Sequence, residues 1–401
     1  MNIERLQDTL QPLLAPLGLL YSGAMRLRRA AYDVGLLSSW RAGALTVSVG
    51  NIGWGGTGKT PLTDWLLDWA LRNGLAPLVL TRGYGARPTA YPHLVRPGNL
   101  AEEAGDEPLM LCRRHPGAAI VVDPVRSRGG RWAQEQMRPG VVLLDDGFQH
   151  LGVHRDINLV LLRPSDLDQG WNRVIPAGSW REGRSALARA DAFLIKASPK
   201  NFEGLLPRLE RRLSRLGKSV FSFEIVPLGL LRVLGGEQRP HFSQQPYLLV
   251  TGVGDPAQVE YTATRYLGHA PREHLIYPDH HAFTRTDVKF IEQTAEHRHC
   301  AHVLCTPKDA VKLGPMAREN FWTFDLDVRF GPAWHGRGQE GAPFDAWWDA
   351  RFDRTRAELA KRPGQDAERA AQSRRQSPAD NRETTRSSAE ESMNFGQEEE
   401  K

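Results

Sequence analysis

Short apolar runs alternate with segments of helical periodicity between residues 45 and 200. Apolar residues three and four positions apart predict helices, whereas uninterrupted apolar runs predict strands that are buried on both faces. The predicted strands are 45–49, 76–81, 119–122, 141–144, 157–162 and 192–195, and the predicted helices are 63–71, 107–114 and 131–137. This alternation predicts an α/β fold with a mostly parallel sheet covered by helices on both faces.

A second αβ block follows the first. Leucines at helical spacing predict one amphipathic basic helix over residues 201–217, and residues 219–234 alternate as a strand pair or a linker would. Further strands are predicted at 247–251, 302–306 and 321–330, and further helices at 284–297 and 344–359. From residue 361 to residue 401 the chain is charged and polar with few core residues, which predicts a disordered tail.

The first 42 residues carry an apolar stripe in which Pro12 and Pro16 predict a kinked or two-part helix. The stripe consists of Leu6, Leu10, Leu13, Leu14, Leu17 and Tyr21, and the arginines that follow it are Arg26, Arg28, Arg29 and Arg41. Such a segment either lies in a membrane interface, with its arginines near anionic head groups, or packs on the protein's own core. The pattern by itself leaves both interpretations open.

The composition indicates a folded protein with an anionic partner. The 401 residues are 40% hydrophobic and 25% charged, so most of the chain is expected to fold, with room for two ordinary domains. The formal net charge of +5 suits an anionic partner such as a nucleotide, a phospholipid or a nucleic acid. Three cysteines are too few for a disulfide framework and indicate a reducing, cytoplasmic setting. No apolar run approaches the roughly 20 residues that span a bilayer, and no signal peptide is evident.

The most informative motif lies between a predicted strand and a predicted helix. Gly53, Gly58, Lys59 and Thr60 fit the phosphate-binding loop pattern G-x-x-x-x-G-K-[ST]. Glycines let the backbone N–H groups turn toward an anion, and the following helix adds its positive N-terminal end. Lys59 is expected to reach the β- and γ-phosphates of a nucleotide, and the Thr60 hydroxyl is expected to hold Mg²⁺. The predicted nucleotide-binding residues are therefore Gly53, Gly55, Gly56, Thr57, Gly58, Lys59 and Thr60.

Two pairs of carboxylates are candidates for metal binding and base catalysis. Asp145 and Asp146 end a predicted strand, where a phosphate loop needs a carboxylate for Mg²⁺, although plain strand-end turns also carry tandem aspartates. Asp106 and Glu107 begin a short predicted helix. They are either ordinary partners of the helix dipole, or a general base and a second group near Mg²⁺.

Histidines and arginines near these motifs also leave alternatives open. His150 either donates to a phosphate, orients a carboxylate or packs in the core, and His280 either assists a base or lies in a loop without a chemical role. Arginines that follow strands can clamp phosphates, but each one also suits a solvated surface position; they are Arg82, Arg126, Arg128 and Arg181. A zinc site is not expected, because no common zinc pattern matches the spacing of His297, His299, Cys300, His302 and Cys305.

In combination, the motifs resemble those of the tetraacyldisaccharide 4′-kinase (lipid A 4′-kinase) family of Gram-negative bacteria. They occur in the family's order over residues 10–330, and together they are far more selective than a lone phosphate loop. The motifs are VGNIGWGGTGKTP at 49–61, TRGYG at 81–85, GDEP at 105–108, LLDDGFQH at 143–150, RDINLVLL at 155–162, PAGSWRE at 176–182, TGVGDP at 251–256, PDHHAF at 278–283 and KDAVKL at 308–313.

The resemblance implies two α/β/α domains with mostly parallel sheets, a P-loop NTPase-like N-terminal domain and a two-stranded linker. The implied ranges are a membrane-associated helical segment 1–42, a kinase domain 43–218, and linker strands with a smaller α/β domain 219–330. The sequence pattern itself adds a C-terminal helix 331–360 and a tail 361–401. It also implies transfer of the γ-phosphate of ATP, with Mg²⁺, to the 4′-hydroxyl of tetraacyldisaccharide 1-phosphate, which forms lipid IVA. The implied partners are this acylated lipid and the cytoplasmic face of the bacterial inner membrane, which the N-terminal helix would contact.

The resemblance assigns roles residue by residue. By motif match, Asp106 resembles the general base, His280 its partner, and Lys59 the lysine of the phosphate loop. The implied metal positions are Thr60, Glu107, Asp145 and Asp146, and the implied phosphate or substrate positions are Arg82, Arg126, His150 and Arg181. The chain departs from the family at Pro307, where Glu usually precedes the lysine of KDAVK, and in the tail beyond Lys361, which has no counterpart.

Two other functions share a phosphate loop: a kinase for a different membrane or sugar acceptor, and a nucleotide-driven switch ATPase. A switch that uses GTP would carry an N-K-x-D motif, which this sequence lacks. A nucleic-acid-binding module would cluster basic and aromatic residues on one face. The arginines here are dispersed along the chain, so we expect no nucleic-acid partner.

Overall fold

The computed structural model describes residues 3–336 and 341–361. The chain separates into two compact units, residues 1–355 and residues 356–401. In the second unit the described residues are 356–361, which include the end of the last helix. From residue 362 onward, the predicted disordered tail lies outside the described residues.

The order of elements follows the predicted alternation of strands and helices. The helices are α1 Ile3–Asp33, α2 Lys59–Arg72, α3 Ala101–Ala104, α4 Asp106–Arg114, α5 Arg126–Gln136, α6 Pro199–Glu203, α7 Leu206–Leu213, α8 Pro256–Leu267, α9 Arg285–His297, α10 Pro307–Leu313 and α11 Phe344–Ala360. The strands are β1 Leu45–Asn51, β2 Pro77–Thr81, β3 His93–Leu94, β4 Ala119–Val122, β5 Val141–Asp145, β6 Ile157–Leu162, β7 Ala192–Lys196, β8 Ser219–Arg232, β9 Gln238–Arg239, β10 Tyr247–Thr251, β11 Glu273–Ile276, β12 His302–Cys305 and β13 Phe321–Trp334.

The strands of the described chain form one sheet in the order β11-β10-β12-β13-β8-β7-β6-β1-β5-β2-β4-β3, with β9 paired to β8. Two groups of parallel strands, from β4 to β8 and from β11 to β13, meet at β8 and β13. The predicted α/β fold with a mostly parallel sheet is therefore confirmed. The domain boundaries suggested by the family resemblance stay predictions.

The two groups of strands are joined by the antiparallel pair β8 and β13, which runs from Val220 opposite Trp334 to Arg232 opposite Trp322. Of the two alternatives for residues 219–234, a strand pair or a linker, the structure supports the linker. They form a single long strand, β8, and its partner β13 lies about a hundred residues later in the chain. Together β8 and β13 supply the two-stranded connection that the family resemblance implies.

Prolines affect two predicted helices. Of the two alternatives for the N-terminal segment, the two-part helix is excluded: α1 is one helix with Pro12 and Pro16 inside it, because each proline removes one backbone donor and leaves the remaining helical bonds in place. The single helix predicted over residues 201–217 is instead α6 and α7. Pro207 lies in the first turn of α7, a position where its missing N–H costs nothing, and it thereby starts a new helix.

The parallel strands of the first group, which includes β1, β2, β4 and β5, point their carboxyl ends toward one edge of the sheet, where ligands bind in α/β folds. The segments that leave these ends are the glycine-rich loop after β1, the TRGYG loop after β2, the start of α5 after β4, and the aspartate pair at the end of β5. The register of β1 against β5 and β6 brings these ends side by side.

The glycine-rich loop packs directly against the strand β8. Gly58 has a left-handed backbone with φ of 92°, and a Cβ added there would lie 2.9 Å from the ring of Phe223, which is fully buried. Gly56, two residues earlier, has open space around its Cα. The two glycines therefore differ in what a methyl group would meet.

We expect Gly58→Ala to lower the free energy of unfolding by at least about 1–2 kcal/mol, because an alanine strains in a left-handed backbone and its methyl group would press on Phe223. Urea unfolding of the full chain in the absence of nucleotide measures the change. Gly56→Ala is the matched control and should change the free energy of unfolding by less than about 0.5 kcal/mol. Equal losses in the two variants would contradict this account of the loop.

Candidate active site

An open cavity of about 620 Å³ lies at the carboxyl ends of the parallel strands. Its lining residues are Gly55, Lys59, Thr81, Arg82, Tyr84, Asp106, Glu107, Pro108, Arg126, Asp145, Asp146, Gln149, His150, Arg181 and His280. Of the residues predicted for the site, Gly53, Gly56, Thr57, Gly58 and Thr60 are not among these lining residues but belong to the adjoining glycine-rich loop and the start of α2. Segments that are far apart in the sequence therefore meet around one cavity.

The phosphate loop leads straight into α2, which begins at Lys59. The Nζ atom of Lys59 lies 3.7 Å from Oδ1 of Asp146, and the Thr60 hydroxyl donates a hydrogen bond of 2.5 Å to Oε2 of Glu107. The lysine thus lies among carboxylates at the N-terminus of α2, and the positive end of this helix faces the cavity. This arrangement attracts a polyphosphate.

The aspartate pair has two different electrostatic environments. Asp145 is buried and accepts a hydrogen bond of 3.2 Å from Thr81 Oγ1, while its Oδ1 has no hydrogen-bond partner in the structure. Burial and the nearby carboxylates of Glu107 and Asp146 raise the pKa of Asp145 to about 6, although Lys59 opposes the shift. A buried oxygen without a donor, beside two other carboxylates, is suited to binding a cation.

Asp146 keeps its negative charge because cations surround it. Burial alone would raise its pKa, but Lys59 and Arg181 more than offset burial and lower the pKa below its usual value. Arg181 Nη1 donates a hydrogen bond of 2.8 Å to Oδ2. The backbone of Asp146 is left-handed, with φ of 49°, a conformation that costs a non-glycine residue roughly 1–2 kcal/mol and often marks a functional turn.

The acid pair Asp106–Glu107 forms the first turn of α4 and meets residues of the second αβ block. Nδ1 of His280 lies 3.1 Å from Oδ2 of Asp106, and the ring of Tyr84 lies 5.2 Å from the His280 ring. Glu107 forms an ion pair with Lys308. Burial acts to raise the pKa of Glu107, but Lys308 and the Thr60 hydroxyl outweigh it and lower the pKa.

The predicted arginines and His150 do not share one environment. Arg126 is buried at the start of α5 with no hydrogen-bond partner for its Nε, and burial lowers its pKa against the pull of Asp146 and Asp145. Burial and neighbouring guanidinium groups lower the pKa of His150 to about 4, so its ring is neutral near pH 7. Arg82 lines the cavity, whereas Arg128 pairs with Asp123 and does not line it.

Sequence reasoning missed two lysines of α10 as site residues. Lys308 contacts Glu107, and Lys312 Nζ lies 3.6 Å from Oδ2 of Asp106. Both belong to the KDAVKL motif, in which their spacing of four places them on the same face of a helix. Pro307, the departure from the family, is the first residue of α10 and follows the capping residue Thr306, a position that favours proline.

Within the described residues, no group of three or more His, Cys, Asp or Glu side chains is arranged to hold a metal ion. Of the residues considered for zinc, Cys305 is buried in β12, and His302 contacts Gln245. Mg²⁺ demands fewer protein ligands, because it commonly binds one or two protein carboxylates together with water and phosphate oxygens. Oδ1 of Asp145 and Oδ1 of Asp146 are buried without a hydrogen-bond partner, and with Thr60 and Glu107 nearby they fit that demand.

The raised pKa of Asp145 makes the stability of the fold depend on pH. Its pKa is about 6 in the folded protein against an ordinary aspartate value of 3.8, so the folded state binds the proton more tightly. The free energy of unfolding is therefore greatest below the lower pKa and falls as pH rises through about 6. We expect the free energy of unfolding of Asp145→Asn to rise relative to that of the wild type by about 2 kcal/mol between pH 4.5 and pH 7.5. Urea unfolding with EDTA at several pH values measures the difference.

The control for that measurement is Asp353→Asn, which removes an exposed carboxylate from α11. The difference in the free energy of unfolding between the wild type and Asp145→Asn should therefore change with pH. A difference that stays constant would refute the conclusion that Asp145 is buried without full compensation of its charge. A difference of opposite sign would refute it equally.

Comparison with known proteins identifies the family of the chain. The protein-family model for tetraacyldisaccharide-1-P 4′-kinase matches residues 10–337. The tetraacyldisaccharide 4′-kinase of Nitratidesulfovibrio vulgaris is 54% identical, over 90% of this chain and 99% of its own, and that of Pseudomonas entomophila is 33% identical, over 85% and 92%. The crystal structure of LpxK from Aquifex aeolicus in complex with ATP matches with a TM-score of 0.67 and 28% identity, over 88% of this chain and 99% of that one. The chain belongs to the tetraacyldisaccharide 4′-kinase family.

Proposed function

We propose that this protein transfers the γ-phosphate of ATP to the 4′-hydroxyl of tetraacyldisaccharide 1-phosphate and so forms lipid IVA in lipid A biosynthesis. Family membership supports this activity. The observation that carries it is the arrangement of one cavity, in which the phosphate loop faces the Asp106–His280 pair. A phosphate donor and a hydroxyl acceptor can meet there, with a base beside the hydroxyl to accept its proton.

The donor side is the phosphate loop. The Aquifex relative was crystallised in complex with ATP, which supports ATP as the donor here. The backbone N–H groups of Gly55 to Gly58 and the start of α2 would hold the β- and γ-phosphates, and Lys59 would follow the charge as it moves to the transferred group. Arg126 and Arg181 lie around the same cavity and would add guanidinium contacts to the phosphates.

The acceptor side is the Asp106 carboxylate. An attacking hydroxyl must lose its proton as the new P–O bond forms, and a carboxylate within hydrogen-bond reach accepts it. His280, which also lines the cavity, lies with its Nδ1 3.1 Å from Oδ2 of Asp106 and so fixes that oxygen. Arg82 and His150 line the same cavity and would contact the phosphate or sugar groups of the lipid.

The residues that would hold Mg²⁺ are Thr60, Glu107, Asp145 and Asp146. When bound, the ion neutralises the charge of the donor phosphates and so favours attack by a hydroxyl. In its absence, Asp145 carries the highest cost of negative charge, because it is buried beside two other carboxylates. The chain's own contribution is to hold these oxygens on rigid elements, the end of β5 and the first turns of α2 and α4.

The N-terminal helix would bring this cavity to the lipid. Leu13, Leu20 and Leu27 are 75%, 71% and 73% exposed, and their spacing places them on one face of α1. The other side of α1 contacts the protein through Gln7, whose side chain donates to the Pro176 carbonyl. Within the described residues, no helix is long and apolar enough to cross a membrane. We propose that α1 lies in the interface at the cytoplasmic face of the inner membrane, because its exposed leucines share one face.

A membrane position follows from the chemistry of the proposed substrate. Removing acyl chains from a bilayer costs about 0.8 kcal/mol for each exposed methylene group, so a tetraacyl lipid stays in the membrane. The active site must therefore approach the lipid. The net charge of +5 favours an anionic lipid surface.

The test of the proposed reaction is transfer of labelled γ-phosphate from ATP to tetraacyldisaccharide 1-phosphate in detergent micelles with Mg²⁺. We expect a labelled lipid product from the wild type. Asp106→Asn should lower transfer by about 10²-fold or more while ATP binding changes by less than about threefold, because the lost base acts only on the acceptor. Lys59→Ala should lower both transfer and ATP binding.

Lys289→Ala removes an exposed lysine from α9 and is the control for Lys59→Ala. Bound ATP without labelled lipid would move the assignment to another acceptor or to a nucleotide-driven switch. Equal losses of transfer and ATP binding in Asp106→Asn would contradict the base assignment.

We expect the double variant Leu13→Glu, Leu20→Glu to sediment poorly with vesicles that contain anionic phospholipid, because carboxylates on this face cannot enter the membrane interface cheaply. Vesicle co-sedimentation of the full chain measures the effect. Tyr261→Glu, Phe290→Glu is the matched control, since these two side chains are also exposed and apolar but lie on α8 and α9. Sedimentation that drops equally in both variants, or in neither, would refute the role of α1.

A further inference from the structure

A buried lysine lies next to the carboxylate that the proposed reaction uses as its base. The side chain of Lys312 is 6% exposed, and its Nζ lies 3.6 Å from Oδ2 of Asp106 and 3.1 Å from Oδ1 of Asp309. Neither contact has the geometry of a hydrogen bond, so both are ion pairs. A buried ammonium group is costly without opposite charge, and these two carboxylates supply it.

Asp309 anchors the lysine in the second αβ block. Asp309 is fully buried, and its Oδ2 accepts hydrogen bonds from the Gly252 backbone N–H at 3.0 Å and from the Thr306 hydroxyl at 2.7 Å. The aspartate is therefore fixed by the loop after β10 and by the cap of α10. Its second oxygen is left to hold Lys312.

The same loop also holds the other partner of Asp106. The backbone N–H of His280 donates to the Gly252 carbonyl at 3.2 Å, while the backbone of His280 adopts a left-handed φ of 60°. Gly252 thus ties together the two groups, His280 and Lys312, that approach the same oxygen of Asp106. Lys308, one turn earlier on α10, pairs with Glu107 and orients the helix against α4.

We infer that Lys312 is a positioning residue for the reaction: held by Asp309, it fixes the Asp106 carboxylate against His280 in the orientation from which it accepts the hydroxyl proton. The inference rests on the proposed function. Lys312 does not line the cavity, so it acts through Asp106 rather than on substrate. Its loss would let the carboxylate rotate while the phosphate loop and the bulk of the cavity stay in place.

The variant that tests this is Lys312→Met, which keeps the length of the side chain and removes its charge. We expect kcat for labelled phosphate transfer to fall about 10- to 100-fold, because small misplacements of a reacting group have effects of that size. KM for ATP and ATP binding without turnover should change by less than about threefold. Lys312→Arg, which keeps the charge, should recover most of the lost activity, and Lys289→Met is the control for removing an exposed lysine.

A double-mutant comparison separates positioning from a general structural role. In an Asp106→Asn background, adding Lys312→Met should lower the residual transfer by less than about twofold, because the group that Lys312 orients is already gone. The same fold-loss in both backgrounds would overturn the inference. So would a Lys312→Met variant whose kcat stays within about twofold of the wild type.

Lys312→Met leaves the buried Asp309 carboxylate without its positive partner, and such a loss can unfold a protein. The variant Lys312→Met, Asp309→Asn removes both charges together and should fold while showing the same loss of kcat. Recovery of wild-type kcat in this double variant would show that the stranded aspartate caused the loss, and would overturn the inference. A wild-type chain that transfers no phosphate to the lipid would overturn the proposed function as well, so the two failures are distinguishable.

Discussion

Burial of several carboxylates at one edge of the sheet is the constraint on which the site depends. Asp145, Asp146 and Glu107 lie close enough together that their charges influence one another's pKa values. Such a cluster is stable only where cations or hydrogen-bond donors lie beside each group. Lys59 and Arg181 compensate the charge of Asp146. Lys308 and the Thr60 hydroxyl stabilise the charge of Glu107. Asp145 accepts a hydrogen bond from Thr81 through only one of its oxygens.

These cations come from both blocks of the fold, which makes the second block part of the site. Lysines on α10 and His280 approach the first turn of α4, although they follow it in the sequence by well over a hundred residues. The antiparallel pair β8 and β13 carries the chain from one group of parallel strands to the other within one continuous sheet. The ion pairs and the continuous sheet therefore both hold α10 against α4.

Two of the six non-glycine residues with a left-handed backbone in the described part of the chain line the proposed site. Asp146 and His280 both adopt left-handed backbones, which cost side chains other than glycine roughly 1–2 kcal/mol each. Both residues are held by charged contacts, Asp146 by Arg181 and His280 by Asp106. Gly58 adopts the same region without strain, and its lack of a side chain lets the phosphate loop approach Phe223. These favourable contacts offset the backbone strain and keep the side chains in fixed directions.

The sequence by itself determined the phosphate loop, most buried strands and the carboxylates of the site, because periodicity, glycine spacing and short motifs are local properties. Aspartates at the end of β5 and the acid pair of α4 were found in this way. Only the tertiary structure decided that β8 pairs with β13, that α1 presents leucines outward, and that Lys308 and Lys312 face the acid pair. Those features depend on which distant segments come into contact. One chain's pattern of residues leaves that undetermined, since the same apolar stripe or lysine pair suits several partners.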